Sequence, residues 1–164
     1  MIKDIIQPEL LSIDGNLRLR KFDDRFDFAL SWYQDEETNY MVDGRRGAYD
    51  MDQLSRMYHY LENRGEVYFI EVKENGIFRP IGDVTFWQED MPIVIGEQEY
   101  RGKGIGKKVI AALIDRGKLL GYSWLRIGEI YQWNIPSRRC FESLGFREYE
   151  QTEKGARFHL KLTD

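Results

Sequence analysis

The sequence contains few residues of the types that form disulfides or metal sites. It has one cysteine, Cys140, and two histidines, His59 and His159, in 164 residues. A single cysteine excludes an internal disulfide, and the two histidines are too far apart in sequence to give metal-ligand spacing. We therefore expect no metal. We also expect Cys140 to be a buried structural thiol rather than a nucleophile.

Long apolar runs and an excess of positive charge are also missing. No run approaches the roughly 18 apolar residues that a membrane-spanning helix needs, and the N-terminal segment MIKDIIQPELLSIDG lacks the apolar core and cleavage site of a signal peptide. The formal net charge is −4, which argues against nucleic-acid binding through bulk positive charge. We expect a cytoplasmic protein without a nucleic-acid or membrane partner, and a cationic partner such as an amine suits the charge.

What the chain does contain is typical of one globular domain over residues 1–164. Its residues are 42% hydrophobic and 14% aromatic, which is enough for a core and for an aromatic pocket besides. We find no repeat, low-complexity tract or linker that would divide the chain.

Apolar periodicity predicts the element order β-α-α-β-β-β-α-β-α-β. Strands are predicted over 16–22, 66–72, 80–87, 92–96, 123–131 and 157–163, helices over 23–37, 51–65, 104–121 and 135–145, and a loop over 38–50. The breaks between the second, third and fourth strands are short enough for hairpins, whereas a helix separates the fourth from the fifth. The fold class is therefore mixed α/β (α+β) with one sheet, antiparallel first and then a β-α-β crossover.

The segment IGEQEYRGKGIGKK, residues 95–108, passes from a strand through Gly102, Gly104 and Gly106 into a helix. Such a turn is a ready anion site, because free amides and the helix dipole point at the ligand. A P-loop requires Ser or Thr after its lysine, but Gly104 follows Lys103. A dinucleotide fingerprint requires glycine where Lys107 stands. Neither nucleotide-binding motif fits.

The pattern R-x-x-G-x-G, residues 101–106, resembles the pyrophosphate loop of the GNAT superfamily of acyl-CoA-dependent N-acyltransferases. A second segment, WNIPSRRCFESLGF at 133–146, resembles the family motif N-x-x-[AS]-x-x-x-[YF]-x-x-x-G-F. With the element order, the resemblance covers about residues 16–162. It implies a mostly antiparallel sheet in which strands four and five splay apart, flanked by about four helices, with acetyl-CoA as co-substrate.

The resemblance also implies which residues contact acetyl-CoA. The pantetheine would pair with backbone groups of Ile93, Val94 and Ile95, and the pyrophosphate would lie on the amides of residues 101–106. The remaining phosphate charge would meet Lys103, Lys107 and either Arg138 or Arg139. The full set is Ile93, Val94, Ile95, Arg101, Gly102, Lys103, Gly104, Ile105, Gly106, Lys107, Asn134, Ser137 and Arg139, in which Asn134 matches the cofactor-contacting Asn of the second motif.

Transfer from a thioester to an amine requires loss of an amine proton and stabilisation of an oxyanion. A backbone amide near Val94 or Ile95 would stabilise the oxyanion. For the base the candidates are Asp90, then Glu89 and Glu129, each of which could instead be a solvated turn residue. In the aminoglycoside 6′-N-acetyltransferases, which this chain resembles in IGEQEYRGKGIG and WYQDEE, an Asp on strand four lies near the amine. Its ungapped match here is Pro92, two residues after Asp90.

The family commonly protonates the departing thiolate with a Tyr at the position of Phe141. Tyr131 replaces it, or water does, or the thiolate leaves unaided. This departure leaves the general acid unassigned.

The acceptor pocket of this superfamily is formed by the first two helices and the loop between them. Here that region offers Trp32, Tyr33, Glu36 and Tyr40, a lining suited to a polycationic amine, although the rings could be core and the acids solvated. We expect an acetyl-CoA-dependent N-acetyltransferase of a small-molecule primary amine, such as an aminoglycoside, acting as monomer or homodimer. The alternatives are acetylation of a protein N-terminus, as in the ribosomal-protein-acetylating branch, and a non-catalytic acyl-CoA-binding module.

Overall fold

The strands form two antiparallel sheets in the computed structural model, which describes residues 1–163. The strands are β1 (Leu10–Asp14), β2 (Leu17–Lys21), β3 (Glu66–Glu74), β4 (Ile77–Phe86), β5 (Ile93–Ile95), β6 (Trp124–Tyr131), β7 (Arg147–Gln151) and β8 (Gly155–Lys161). The helices are α1 (Glu36–Asp43), α2 (Met51–Arg64), α3 (Ile105–Leu119) and α4 (Ile135–Ser143), with short 3-10 helices at Asp27–Tyr33 and Gln98–Tyr100. In this part of the chain no helix is long and apolar enough to cross a membrane.

The mixed α/β class and the splay are confirmed by the strand order. One sheet runs β1-β2-β3-β4-β5 and the other β6-β8-β7, so β5 and β6 do not pair with each other. These two are the fourth and fifth of the predicted strands. The splay divides the predicted single sheet completely at this point, and the β5-α3-β6 connection crosses from one sheet to the other.

The two sheets meet at a seam, formed by the turn 87–90 after β4 and by residues 124–128 of β6. The amide of Arg126 donates to the carbonyl of Gln88 at 2.9 Å, and the amide of Gly128 donates to Oδ1 of Asp90 at 3.0 Å. The side chain of Gln88 donates to the carbonyl of Trp124 at 3.1 Å. Both backbone and side-chain bonds therefore hold the start of β6 against the first sheet, while β5 and the rest of β6 are left apart.

Two apolar clusters hold the layers together. The larger joins the sheets to the inner face of α3, where Val109, Ile110 and Leu113 are fully buried. The smaller joins the first 3-10 helix and α2 to the opposite face of the first sheet, around Tyr58 and Phe69. Burial of apolar area stabilises the folded state by about 25 cal/mol per Å². Each helix is therefore held to its sheet by its one apolar face.

A buried ion pair links β3 to α3. Nε and Nη2 of Arg116 donate to the two carboxylate oxygens of Glu66 at 2.5 and 2.6 Å, and the hydroxyl of Tyr68 donates to the same carboxylate at 2.8 Å. Because both oxygens are satisfied, the buried charge is tolerated.

Four features of the secondary structure differ from the sequence-based prediction. Strands β1 and β7 were not predicted, the helix predicted over 23–37 is a 3-10 helix over Asp27–Tyr33, and α1 occupies part of the predicted loop 38–50. Helix α1 begins where Asp35 accepts from the amide of Glu37 at 3.1 Å and from the hydroxyl of Thr38 at 3.0 Å. This N-cap gives α1 a definite start despite its polar composition.

Candidate functional site

A cavity of about 820 Å³ lies in the splay. Its walls are α1, the strand β5, the loop and first turn of α3, and the first turns of α4. All the residues predicted to contact the acyl donor line this cavity except Lys103. Thr38, Met41 and Val42 of α1 also line it, although the sequence analysis did not identify them because that segment was predicted as a loop.

The free edge of β5 faces this cavity. Val94 lies opposite Asp83 on β4, and the bonds on either side make this a hydrogen-bonded pair. Hydrogen bonding alternates along an antiparallel strand, so Ile93 and Ile95 turn their amides and carbonyls away from β4, into the splay. The backbone groups of Val94, which were predicted to bind the donor, are therefore used by β4. Its side chain forms part of the cavity wall.

The start of α3 provides free amides at one end of the cavity. Gly102 and Gly104 have φ of 72° and 80°, the left-handed region that glycine adopts without strain. Gly104 caps α3 without a side chain, and the amide of Lys108 makes the first bond of the helix, to the carbonyl of Gly104 at 3.2 Å. The amides of residues 105–107 are consequently left without helical partners, which favours an anion there.

Gly106 has no structural need to be glycine. A Cβ added to it would lie 3.9 Å from Cδ1 of Ile93 and 4.0 Å from Sγ of Cys140, which are ordinary contacts. Gly96 is different, because its Cβ would lie 2.1 Å from Cγ of Trp32. The glycine at 96 is thus explained by packing within the protein, whereas the glycine at 106 leaves room on the cavity side.

Positive charge collects at the same end of the cavity. Lys107 and Arg139 line it, and neither forms a salt bridge within residues 1–163. Arg138, the alternative to Arg139 in the sequence analysis, pairs instead with Glu142 at 2.7 Å and Glu148 at 3.3 Å. Arg139 is therefore the arginine available to an anion.

Arg101 ties β5 to α1. Its Nε donates to the carbonyl of Ile95 at 2.8 Å, and its Nη2 donates to Oγ1 of Thr38 at 3.0 Å. The guanidinium therefore joins β5 to α1 at the cavity rim. Arg101 contributes to anion binding only through its backbone amide and through its long-range charge.

The other end of α1 is held by the segment 131–134. Three side chains of this segment donate to the last carbonyls of α1: Tyr131 to Asp43 at 3.3 Å, Trp133 to Tyr40 at 3.0 Å and Asn134 to Met41 at 3.1 Å. The carbonyl of Tyr40 also accepts from the amide of Gly44 at 3.0 Å, whereas those of Met41 and Asp43 lie past the last helical bond. Asn134, predicted to contact the donor, also caps α4 by accepting from the amide of Ser137 at 3.3 Å. We call α1, tied at both ends across the cavity, the α1 strap.

An aromatic stack reinforces the strap. The ring of Trp133 lies parallel to those of Tyr40 and Tyr131, each with its centroid at 4.8 Å, and the guanidinium of Arg46 lies 4.4 Å from the Tyr40 ring. The stacked faces contact each other, so Tyr40, predicted to contact the acceptor, serves the strap in this structure.

The other residues predicted to line an acceptor pocket lie outside the cavity. Trp32 is buried and donates from Nε1 to Glu97 at 3.2 Å, and Tyr33 is buried and donates to Asp83 at 2.7 Å. Glu36 is exposed on α1. Both rings belong to the smaller apolar cluster, where Trp32 packs on Gly96. They are therefore core residues, which is the alternative to a pocket lining stated in the sequence analysis. Glu37 is the acid that lines the cavity.

Asp83 is a buried carboxylate below this region. Its Oδ2 accepts from the hydroxyls of Tyr33 and Tyr58, both at 2.7 Å. Burial raises the pKa of Asp83 to about 6, and the two hydroxyl bonds offset part of that effect.

Asp90 occupies the seam, where β5 and β6 begin to part. Its Oδ1 accepts from the amides of Met91 at 2.9 Å and Gly128 at 3.0 Å, while Oδ2 has no hydrogen-bond partner in the described residues. Burial raises the pKa of Asp90, and the two amide bonds act against this. The arrangement leaves one oxygen able to accept a proton.

Glu89 and Glu129, the other predicted bases, point elsewhere. Glu89 pairs with Arg126 at 3.5 Å, and Glu129 is exposed and accepts from the hydroxyl of Thr152. Neither lines the cavity, and Asp90 does not line it either. The exposure of Glu89 and Glu129 and their surface partners fit the alternative of solvated residues better than that of a base.

Neither Phe141 nor Tyr131 offers a free hydroxyl to the cavity. The Phe141 ring is buried against Phe146, with centroids at 5.3 Å, and the Tyr131 hydroxyl is bonded to α1. Tyr100 also lines the cavity. Its hydroxyl is buried and has no hydrogen-bond partner within residues 1–163.

Comparison with known proteins gives a family match. The family model described as "Acetyltransferase (GNAT) domain" matches residues 16–147, and no curated protein matches the sequence. A GNAT-family acetyltransferase from Bacillus anthracis has 15% identity and a TM-score of 0.76, with 93% of this chain and 98% of that chain covered.

Two further structures were solved with bound ligands. For yncA from Salmonella typhimurium, solved with its cofactor acetyl-CoA, the identity is 20%, the TM-score 0.65 and the coverage 92% and 96%. For the aminoglycoside acetyltransferase AAC(6')-Ib in complex with coenzyme A, the values are 15%, 0.70, 88% and 94%. At these identities the likeness concerns the fold.

Proposed function

The chain belongs to the GNAT acetyltransferase family, and on that premise we propose that it transfers acetyl from acetyl-CoA to a primary amine by direct attack. The observation that carries this proposal is the combination of a free strand edge and free helix amides in one cavity. The amides of Ile93 and Ile95 and the carbonyl of Ile93 face the cavity, while the carbonyl of Ile95 accepts from Arg101, and the amides of residues 105–107 lie at the cavity's end.

This arrangement fits the two chemical parts of the acyl donor. The pantetheine carries amides, which an unpaired strand edge can bond as a further strand would. The pyrophosphate and the 3′-phosphate carry negative charge, which suits the amides at the start of α3 together with Lys107 and Arg139. When bound, acetyl-CoA supplies an activated acetyl thioester.

The residues of the chain have distinct parts in the transfer. The amide of Ile93 or Ile95, free on the edge of β5, would hold the carbonyl oxygen as negative charge develops on it. Asp90 would accept a proton through Oδ2, the oxygen without a partner in the described residues, either from the ammonium before it attacks or from the amine nitrogen as the C–N bond forms. Phe141 offers no proton to the thiolate, so water supplies it or the thiolate leaves unaided.

For the acceptor we propose a polycationic amine, with aminoglycosides first. The supporting observations are the exposed Glu36 on α1 and the fold shared with AAC(6')-Ib. Glu37 lines the cavity wall but pairs with Arg46, so Glu36 is the acid of α1 that would attract a cationic amine to the rim.

The test is release of CoA from acetyl-CoA, measured as free thiol, with a panel of aminoglycosides, polyamines, amino acids and short peptides. We expect turnover with aminoglycosides, and a loss of about 10²-fold or more in kcat for Asp90→Asn. Turnover on peptide N-termini alone would refute the proposed aminoglycoside acceptor but would agree with the proposed acetyl transfer to an amine. Acetyl-CoA binding without turnover on any amine would favour the non-catalytic module, and absence of binding would refute the proposal as a whole.

A further inference from the structure

Gly128 lies against the carboxylate of Asp90 across the seam. Its amide donates to Oδ1 at 3.0 Å, and a Cβ placed on it would lie 3.0 Å from Oδ2 and 3.2 Å from Cγ of the same aspartate. We propose that Gly128 is a positioning residue for Asp90, holding one oxygen by its amide and leaving room for the carboxylate by its missing side chain. The inference rests on the proposed acetyl transfer with Asp90 as base.

Strand alternation turns this amide away from β8. Residues two apart along a strand direct their backbone groups to the same side, and the amide of Arg126 donates to the carbonyl of Gln88 at 2.9 Å. The amide of Gly128 faces the same side, where it donates to Asp90 in the turn after β4. The register of β6 on β8 shifts only between Ile127 and Ile130, next to Gly128.

The backbone at residue 128 does not itself require glycine. Six glycines of the described chain have positive φ, and Gly128 is not among them. Other residue types could adopt its backbone conformation, so the nearby carboxylate is what excludes a side chain. Contacts of 3.0 and 3.2 Å to a Cβ are tighter than ordinary packing, so a side chain at residue 128 requires the Asp90 carboxylate to move by a few tenths of an ångström.

The result is a carboxylate with two different oxygens. Oδ1 is fixed by the amides of Gly128 and Met91, whereas Oδ2 remains free to accept a proton. No charged group perturbs this carboxylate, since the charged side chains beside it, Glu89 and Arg126, pair with each other at 3.5 Å. Orientation of the base therefore depends on backbone amides, which do not titrate.

The first measurement follows the amide of Gly128 by NMR across pH 3–9, in protein without acetyl-CoA. We expect its proton shift to titrate with a midpoint above that of an ordinary aspartate, and the titration to disappear in Asp90→Asn. An amide shift that does not respond to pH, or that responds equally in the D90N variant, would overturn the proposal. This readout is independent of catalysis.

The second measurement is kinetic and uses Gly128→Ala with Gly15→Ala as control, because a Cβ on Gly15 meets no atom within 4 Å. We expect G128A to lower kcat by up to about tenfold, with little change in KM for acetyl-CoA, since it moves the carboxylate by a fraction of the roughly 1 Å that costs about a hundredfold. The acid limb of its pH–rate profile should also move, and G15A should match wild type.

A double variant separates positioning from a structural role. In the D90N background, G128A should change kcat by less than about twofold, because residues that act as a unit are not additive. An equal loss in both backgrounds would mean that Gly128 acts through the fold, and the inference would be wrong. If wild type acetylates no amine, the proposed function fails, while the amide titration still decides the positioning.

Discussion

The variant Gly106→Ala tests acyl-donor binding separately from the stability of the fold. The added methyl would make ordinary contacts of 3.9 and 4.0 Å inside the protein, and Gly106 has no left-handed backbone to strain. Replacing glycine by alanine in a compatible helical position stabilises by about 0.4–1 kcal/mol, mainly because the unfolded chain loses freedom. For a chain of this length that raises the Tm by about 1–4 °C.

The same methyl would occupy the cavity side of the α3 amides, where we place the pyrophosphate. Loss of one hydrogen bond to a charged oxygen costs about 1.5–3 kcal/mol, which is about a tenfold to hundredfold rise in Kd. We therefore expect G106A to be at least as stable as wild type and to bind acetyl-CoA more weakly.

The assays are thermal unfolding by circular dichroism and titration calorimetry with acetyl-CoA. Gly15→Ala is the matched control, because its Cβ meets nothing and its position is remote from the cavity. Unchanged acetyl-CoA affinity in a well-folded G106A would refute the placement of the pyrophosphate. A large fall in Tm would refute the packing argument instead.

Three further predictions concern the core, the buried acid and the strap. Arg116→Met leaves the Glu66 carboxylate buried without its ion-pair partner and should lower the free energy of unfolding, measured by urea denaturation, by about 3–5 kcal/mol. The double variant with Glu66→Met should lose less, and an equal or larger loss would contradict this expectation. Because the pKa of Asp83, about 6, lies above its unfolded value, its contribution to stability is full at low pH and is lost as pH rises from about 4 to about 6. Subtracting the stability of Asp83→Asn from that of wild type at each pH should show this slope, and a flat or opposite difference would exclude it. Trp133→Ala removes one ring with its two stacking contacts and one hydrogen bond, and the amides of residues 36–43 should exchange about tenfold to a hundredfold faster, with α2 as internal reference; unchanged protection would show that the strap does not depend on Trp133.

Local sequence patterns predicted the elements that bury an apolar face. Strand β7 was not predicted, because every one of its residues is exposed and its contacts are backbone pairing to β8 and surface side-chain contacts such as that of Glu148 with Arg138. Helix α1 was not predicted, because it is mostly polar and its ends are stabilised from outside by Arg101 and by the segment 131–134. Both depend on partners distant in sequence, which periodicity does not report.

In the candidate site too, features encoded by local sequence were predicted, whereas features that depend on distant residues were not. The loop 101–107 has its conformation encoded locally by Gly102 and Gly104, and it lies where the motif placed it. Trp32 and Tyr33 have the composition of a binding surface, yet the contact with Gly96 and the bond to Asp83 take them into the core. The surroundings of Asp90 depend on Gly128, which is 38 positions further along the chain.

The α1 strap has a consequence for the protein's behaviour in solution. Strand β5 leaves an edge unpaired in the splay, and an unpaired edge is a template on which another chain can add a strand. By lining the cavity that this edge faces, α1 shields the edge from self-association while the cavity contains no acyl donor. Variants with weakened ties at Trp133 or Arg101 should therefore aggregate more readily, and the acyl donor should protect them.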